Sequence, residues 1–229
     1  MKSLLELPAK IRRKGWRGTL RVLCERFLYR HQELLTVERS LEAPLSKRLK
    51  VYRWQHVHLH EETLPKLEKY FAHYLPAVRK LLAQEGVRGE AFADENGDVI
   101  GMVWMTNRDY YEPLYHRWIR LPPGHMYQFA GEVAEPYRNT GMPLRYLRGL
   151  CEQGYHELGC HVARSLVDAR NLPAVLLHMH MGFRETGEAT HVYTLFRFLH
   201  FTRICAYREP RFASWQKPER NRISPQKLE

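Results

Sequence analysis

Apolar and polar residues follow strand-like or helix-like spacing through most of the chain, and this pattern predicts an ordered series of elements. Short apolar or alternating runs predict strands at residues 34–41, 51–60, 89–94, 99–106, 125–133, 161–168 and 190–199. Helical spacing predicts helices at residues 61–71, 75–84, 142–158 and 173–181. Asn96-Gly97, between two of the strands, is a strong hairpin signal. Such a mixed order is typical of a central sheet with helices on its faces.

The first 31 residues have the pattern of a basic amphipathic helix. Trp16, Leu20, Leu23 and Phe27 recur at helical spacing, and arginines occupy the other faces. Three interpretations stay open for residues 1–31: a helix docked on its own domain, attachment to an anionic membrane surface, or nucleic-acid binding. The last is disfavoured, because no dedicated nucleic-acid motif accompanies the charge.

Charge divides the 229-residue chain into three regions. The net charge is +11, yet residues 1–50 alone carry 13 Lys/Arg against 5 Asp/Glu, and residues 200–229 carry 7 against 3. The middle of the chain is therefore close to neutral. We expect a basic helical extension at residues 1–50, a central domain at 51–200 and a basic C-terminal tail at 201–229. The 44% hydrophobic content is typical of a globular protein.

Cysteine spacing and the N-terminal sequence indicate in which cellular compartment the protein is expected. The four cysteines are scattered without a Cys-x-x-Cys pair, which favours free thiols in a reducing environment. Basic residues interrupt the N-terminus early, so we expect no secretory signal. The expected location is cytoplasmic, with attachment to the inner membrane surface as the alternative.

Two segments carry the candidate chemistry. Arg138-Asn139-Thr140-Gly141 is a polar turn between a predicted strand and a predicted helix. In the second segment, a predicted strand gives way at Asn171 to a helix that ends near Gly182-Phe183. A turn that leads into a helix N-terminus directs several backbone N–H groups at one point, where the helix dipole also favours negative charge. The first segment therefore suits a pyrophosphate.

Both segments resemble motifs of the GCN5-related N-acetyltransferase (GNAT) superfamily. Arg138-Asn139-Thr140-Gly141-Met142-Pro143 is similar to its acyl-CoA loop, Arg/Gln-x-x-Gly-x-Gly/Ala. Asn171-Leu172-Pro173-Ala174 followed by Gly182-Phe183 is similar to its second segment. The resemblance implies an α/β (α+β) fold class: a central mixed, mostly antiparallel sheet flanked by helices, here with the basic helical extension. It also implies acetyl-CoA as co-substrate.

The same resemblance implies roles for individual residues. A strand ending near Val133 would separate from its neighbour and pair with the pantetheine arm. The N–H groups of Asn139 to Met142 would hold the pyrophosphate, with Gly141 allowing close approach of the backbone. Asn171 and Ala174 would line the far side of the channel. The implied cofactor-binding residues are Val133, Arg138, Asn139, Thr140, Gly141, Met142, Asn171 and Ala174.

Two departures from the family pattern affect the expected chemistry. Pro143 stands where the family prefers Gly or Ala, and it has no N–H to donate, although proline fits a first helical turn. His178 stands where many members have a tyrosine that protonates the departing thiolate, and an imidazolium can do the same.

Two residues are the candidate catalytic pair. Glu132 is the candidate base and His178 the candidate acid. A solvent-facing Glu132 and a His178 packed on the sheet are the structural alternatives. Tyr127, His125 and Asp109 are reserve candidates for the base.

His56, His58 and His60 alternate along one predicted strand and so share a face. Three histidines on one face can bind a metal. Same-face neighbours lie about 7 Å apart along a strand, however, and the sequence shows no supporting carboxylate. A polar or partner-facing strand is therefore the favoured interpretation, and we expect no metal.

The sequence thus favours transfer of an acetyl group from acetyl-CoA to an amine of a small-molecule or sugar acceptor. The basic termini slightly favour an anionic or membrane-proximal acceptor over a polyamine. Two alternatives remain. A longer acyl chain would need an apolar channel near a predicted aromatic loop at residues 110–123. A non-catalytic module would bind acyl-CoA or an acidic partner without turnover.

Overall fold

The computed structural model describes residues 28–42, 54–138, 140–196 and 198–215. Residues 1–27 of the predicted N-terminal helix lie outside these ranges, so its proposed roles stay predictions. The ten strands of the described ranges are β1 (Tyr29–Ser40), β2 (Gln55–Leu59), β3 (Val87–Ala93), β4 (Val99–Thr106), β5 (Tyr110–Glu112), β6 (Arg117–Ile119), β7 (His125–Val133), β8 (Val162–Asp168), β9 (Arg184–Leu195) and β10 (Leu199–Ala206).

The α-helices of the described ranges are α1 (Glu68–Phe71), α2 (Leu75–Leu82), α3 (Met142–His156) and α4 (Leu172–His180). The predicted helix at 61–71 is mostly a 3-10 helix, Glu61–Leu67, with Pro65 inside it, and becomes α-helical only at Glu68. Proline removes a backbone donor, which is the physical reason for the irregular start. Further 3-10 turns are Ala72–Tyr74, Glu135–Tyr137 and Ala213–Trp215.

Eight strands form one sheet in the order β10-β9-β1-β8-β7-β4-β3-β2. The pairs of this sheet are antiparallel except β7 with β8, which is parallel. The predicted mixed, mostly antiparallel sheet flanked by helices is confirmed, as is the hairpin of β3 and β4.

Each face of the sheet carries its own apolar cluster. One face packs against α3 and α4 through buried residues such as Leu147, Leu150 and Val175. The other packs against the 3-10 helix and α1–α2 through Leu67 and Val78 among others. Helices thus cover both faces of the sheet, and β7, a central strand, lies between the two layers of helices.

The N-terminal strand differs from the sequence-based division of the chain. β1 lies inside the sheet, between β8 and β9, with Leu34 and Leu35 completely buried. The helix predicted to run to residue 31 is wrong at its end, because the backbone of Tyr29 to His31 pairs with residues 195 to 193. The boundary expected at residue 51 therefore excludes a strand that the sheet contains.

The C-terminal part also departs from expectation. The strand predicted at 190–199 is two strands, β9 and β10, joined by a tight turn at Phe196, whose φ is 51°. Part of the expected tail thus pairs with β9 as an edge strand. The aromatic loop expected at 110–123 contains the small β5–β6 hairpin, with Tyr110 and Ile119 buried.

Within the described residues, we find no helix whose length and apolar character would let it cross a membrane.

Candidate active site

The two central parallel strands diverge at their carboxyl ends. β7 and β8 pair only from His125 with Val162 to Gln128 with Ser165, although the strands continue to Val133 and Asp168. The parallel ladder therefore stops halfway along β7. The resulting opening lies between Phe129–Val133 on one side and the end of β8 on the other.

A bulge in β7 marks the point of divergence. Met102 of β4 pairs with Glu132 and Trp104 with Phe129, so β7 has one residue more than β4 in this stretch. Ala130, within the bulge, has a φ of 47°, in the left-handed region. A bulge bends its strand and redirects side chains, and bulges are frequent beside active sites. Here it turns the last residues of β7 away from β8.

The polar turn after β7 leads directly into α3. Gly141 is the N-cap, and Pro143 lies in the first turn, where its missing N–H is tolerated. The Thr140 N–H and hydroxyl both donate to the Tyr137 carbonyl, at 3.2 and 2.7 Å. Arg138 Nε donates to the Val133 carbonyl at 3.1 Å. The N–H of Thr140 thus serves the turn itself, so the candidate donors to an anion are the N–H groups of Gly141 and of the first turn of α3. Asn139 lies outside the described residues.

Asn171 is the N-cap of α4. Its Oδ1 accepts from the Ala174 N–H at 3.4 Å, and Asn171 follows β8 by three residues. The carbonyl of Ala174 in turn accepts from His178 Nδ1 at 2.8 Å. The structure therefore places Asn171 and Ala174 at the start of the helix on the β8 side of the opening, and both stabilise α4.

His178 is buried against Gln128, the last residue of β7 that pairs with β8, and its ring is neutral. Gln128 Nε2 donates to His178 Nε2 at 2.8 Å, which makes Nδ1 the protonated nitrogen. Burial lowers its pKa from 6.5 to about 4. Both ring nitrogens are thus engaged inside the protein. These contacts favour a His178 that packs on the sheet over a His178 that acts as the catalytic acid.

Glu132 lies on the opposite face of β7, toward α2. The hydroxyl of Tyr74 donates to Glu132 Oε1 at 2.9 Å and fixes the half-buried carboxylate beside the opening. Burial first, and then this hydrogen bond, raise the pKa of Tyr74, so its hydroxyl keeps its proton near neutral pH. A carboxylate held in this way is suited to accept a proton.

The reserve candidates lie elsewhere. Tyr127 is buried in the paired half of β7, and its hydroxyl donates to Glu112 Oε2 at 3.1 Å. Asp109 is bound by Arg120 at 2.6 Å, and His125 begins β7. None of the three therefore accompanies Glu132 at the opening. Sequence reasoning missed Tyr74, which is 58 positions from Glu132 and has no motif around it.

The chain is similar to known proteins in structure but not in sequence. No protein-family model matches the chain, and no curated protein matches it in sequence.

Solved structures of acetyltransferases share parts of this architecture. The aminoglycoside acetyltransferase AAC(6')-Iy, in complex with a bisubstrate analogue of CoA, is 14% identical over 59% of this chain and 93% of its own, with a TM-score of 0.46. A spermidine N-acetyltransferase chimera of Vibrio cholerae SpeG and hSSAT is 14% identical over 63% and 96%, with a TM-score of 0.46. A Drosophila protein is 11% identical over 80% and 58%, with a TM-score of 0.51.

These similarities are similarities of fold. The element order and the diverging parallel pair are observations of this structure, and they agree with the arrangement that the resemblance of the two sequence motifs implies. The chain therefore has the mixed, mostly antiparallel sheet flanked by helices that its resemblance to the GCN5-related N-acetyltransferase superfamily implies.

Proposed function

We propose that this protein is an acyl-CoA-dependent N-acyltransferase that moves an acetyl group from acetyl-CoA to the amine of a small molecule. The divergence of β7 from β8, with the α3 N-terminus at its end, is the observation that carries the proposal. An opening beside a strand edge suits the extended pantetheine arm of acetyl-CoA, which contains amides. The N-terminus of a helix suits the diphosphate of the same molecule.

The cofactor would bind along β7 and onto α3. Backbone groups of Gly131 to Val133 would pair with the amides of the pantetheine arm. The N–H groups at Gly141 and in the first turn of α3 would bind the pyrophosphate, since the first N–H groups of a helix have no partner within it. Two of the solved neighbours support this part of the proposal, because one contains a CoA analogue and another contains CoA.

Glu132 would provide the proton chemistry. The acceptor arrives as an ammonium ion and must lose a proton, which the Glu132 carboxylate would accept directly or through a water. The free amine then attacks the thioester carbonyl, and the carbon–sulfur bond breaks as the amide bond forms. The second proton that the nitrogen loses goes to the departing sulfur or to solvent, so that CoA leaves as a thiol or as a thiolate. Tyr74 would position Glu132 and does not itself touch the substrate.

Two features favour a second candidate, a module that binds acyl-CoA without turnover. Pro143 removes one donor from the proposed phosphate site, and His178 has both nitrogens engaged and gives no proton to a leaving thiolate. Binding without product would support this candidate. The longer-chain alternative has no such support, because Tyr110 and Ile119 in the predicted aromatic loop are buried in the core.

Release of CoA thiol tests the proposal. Wild-type protein is incubated with acetyl-CoA and a panel of aminoglycosides, polyamines and amino sugars, and the new thiol is measured with a thiol reagent. We expect amine-dependent release by the wild type and a loss of about 10²–10⁴-fold in Glu132→Gln, the range for a general base. Glu135→Gln is the matched control, because Glu135 is an exposed carboxylate three residues away.

Two results would oppose the catalytic proposal. Equal rates in Glu132→Gln and wild type would remove Glu132 from the chemistry. Tight binding of acetyl-CoA with no release for any amine would support the non-catalytic module instead.

A further inference from the structure

A compact group of two histidines and one glutamate lies at the β2 edge of the sheet, outside the proposed acyl-CoA site. His56 and His58 project from β2, and Glu90 of β3 lies directly opposite His58 in the antiparallel register. One ligating atom from each of the three side chains lies within 4.8 Å of the others. Strand β4 lies between β3, which carries Glu90, and β7, which borders the opening.

Glu90 is the centre of the group and is almost fully buried, with 3% of its surface exposed. Its Oε2 lies 2.9 Å from His56 Nε2 and 2.9 Å from His58 Nδ1. Neither approach has hydrogen-bond geometry, so Oε2 has no hydrogen-bond partner, while Oε1 accepts from His58 Nδ1 at 3.0 Å. A buried carboxylate oxygen without a partner costs free energy unless something compensates its charge.

The arginine on the same face of β3 as Glu90 is paired with a different carboxylate. Arg88, two residues before Glu90 on β3, directs Nη1 to Glu157 Oε2 at 3.3 Å. Gln153 of α3 contributes a second oxygen without a hydrogen-bond partner. Its Nε2 donates to His56 Nε2 at 3.2 Å, and the buried Oε1 of the same amide has no partner. Unpaired oxygens of Glu90 and Gln153 thus flank the same imidazole.

We propose that His56, His58 and Glu90 form a binding site for a zinc-like divalent transition metal ion. Imidazole nitrogen and carboxylate oxygen are ligands that Zn²⁺ prefers, and two histidines with one glutamate are a known donor set for it. Zinc bonds of about 2.1 Å place tetrahedral ligand atoms roughly 3.4 Å apart, so only small side-chain movements are needed. The ion would balance the buried charge of Glu90.

The geometry also indicates what the ion would do. Three protein ligands leave a fourth position, which a water or Oε1 of a rotated Gln153 amide would fill. The ion would then join the edge strand β2 to β3 and to α3. We therefore assign it a stabilising role, separate from acyl transfer. The sequence indicated the histidines but not the carboxylate, because Glu90 lies 32 residues from His58 on another strand.

Cobalt spectroscopy with the full-length, tag-free protein tests the site. Co²⁺ in a four-coordinate nitrogen and oxygen environment absorbs strongly in the visible range, and Zn²⁺ then removes the absorbance by competition. Glu90→Gln and His58→Ala are the test variants. Glu90→Gln keeps the size and shape of the buried side chain but removes its charge, and His58→Ala removes an imidazole ring that is mostly exposed. His60→Ala and Glu62→Gln are matched controls, because this exposed pair lies 3.6 Å apart just beyond β2 and supplies none of the three ligating atoms.

We expect one equivalent of Co²⁺ to give the absorbance in the wild type and in both controls. Loss of a ligand should weaken binding by more than the roughly 10–100-fold typical of an outer partner. Zn²⁺ should also raise the melting temperature of the wild type and both controls but not of Glu90→Gln. Absence of the absorbance in the wild type, or equal binding by Glu90→Gln, would overturn the proposal and leave a hydrogen-bonded cluster.

Discussion

The hydroxyl of Tyr74 donates a 2.9 Å hydrogen bond to Oε1 of Glu132, and so joins the start of α2 to the diverging end of β7. The bond holds Oε1, and in the proposed mechanism Oε2 would accept the proton of the acceptor amine. Hydrogen bonds to a charged group contribute more than neutral ones, about 1.5–3 kcal/mol. Tyr74 is therefore a positioning residue for the proposed base.

The first prediction concerns the coupling of these two residues. Tyr74→Phe should lower kcat about tenfold and leave the KM for acetyl-CoA nearly unchanged, because it disturbs only the position of Glu132. The double variant with Glu132→Gln should be no slower than Glu132→Gln alone. Steady-state thiol release measures both. Tyr111→Phe is the control, since Tyr111 is 44% exposed on the β5–β6 hairpin. Additive losses in the double variant would mean that Tyr74 acts independently of Glu132.

The second prediction follows from the buried His178. Its folded-state pKa of about 4 lies below the ordinary 6.5, so the unfolded chain binds the extra proton between these values. Stability from this residue is therefore complete above pH 6.5 and falls as the pH drops toward 4. Urea unfolding at pH 7 and pH 5 should differ by about 2 kcal/mol from this group alone.

A comparison of variants isolates that contribution. His178→Phe should reduce the difference between the two pH values, whereas His180→Phe, at an exposed position, should keep it. The folded His178→Phe protein should also retain turnover, because the wild-type imidazole has no nitrogen directed to the thiolate. A large loss of kcat with normal folding would restore the acid role.

The third prediction tests whether β1 belongs to the catalytic fold. Leu35 is completely buried between β8 and β9, so Leu35→Ala should cost about 2–5 kcal/mol of unfolding free energy. Leu28→Ala, at a position 50% exposed, should cost less than about 0.5 kcal/mol. Urea denaturation measures both. Equal, small effects would indicate that β1 is not part of the cooperative core.

Strong local patterns predicted part of the fold correctly. β7 has the bounds expected from its apolar run, His125–Val133, and Asn96-Gly97 marks a real hairpin. The turn between β9 and β10 was missed because Phe196 adopts a positive φ without a glycine or a proline to signal it. The apolar residues of β10 are also exposed, so that strand lacks the alternation of a half-buried one.

The sequence predicted those parts of the candidate site that consist of residues close together in the chain. Gly141 and Asn171 cap the helices that their motifs indicated. The Tyr74–Glu132 bond and the contact of Glu90 with two histidines depend on which strands and helices become neighbours. The role of His178 depends on burial against Gln128, which its sequence position alone does not reveal.

Calorimetric titration with acetyl-CoA tests the central claim most directly. The wild type should bind in the micromolar range, and Gly141→Glu should lose binding, because a carboxylate at the N-cap of α3 repels the pyrophosphate while it suits the helix dipole. His156→Glu should bind normally, since it adds the same charge roughly 20 Å away at the other end of α3. No binding by the wild type, or equal binding by Gly141→Glu, would contradict the placement of acyl-CoA on this fold.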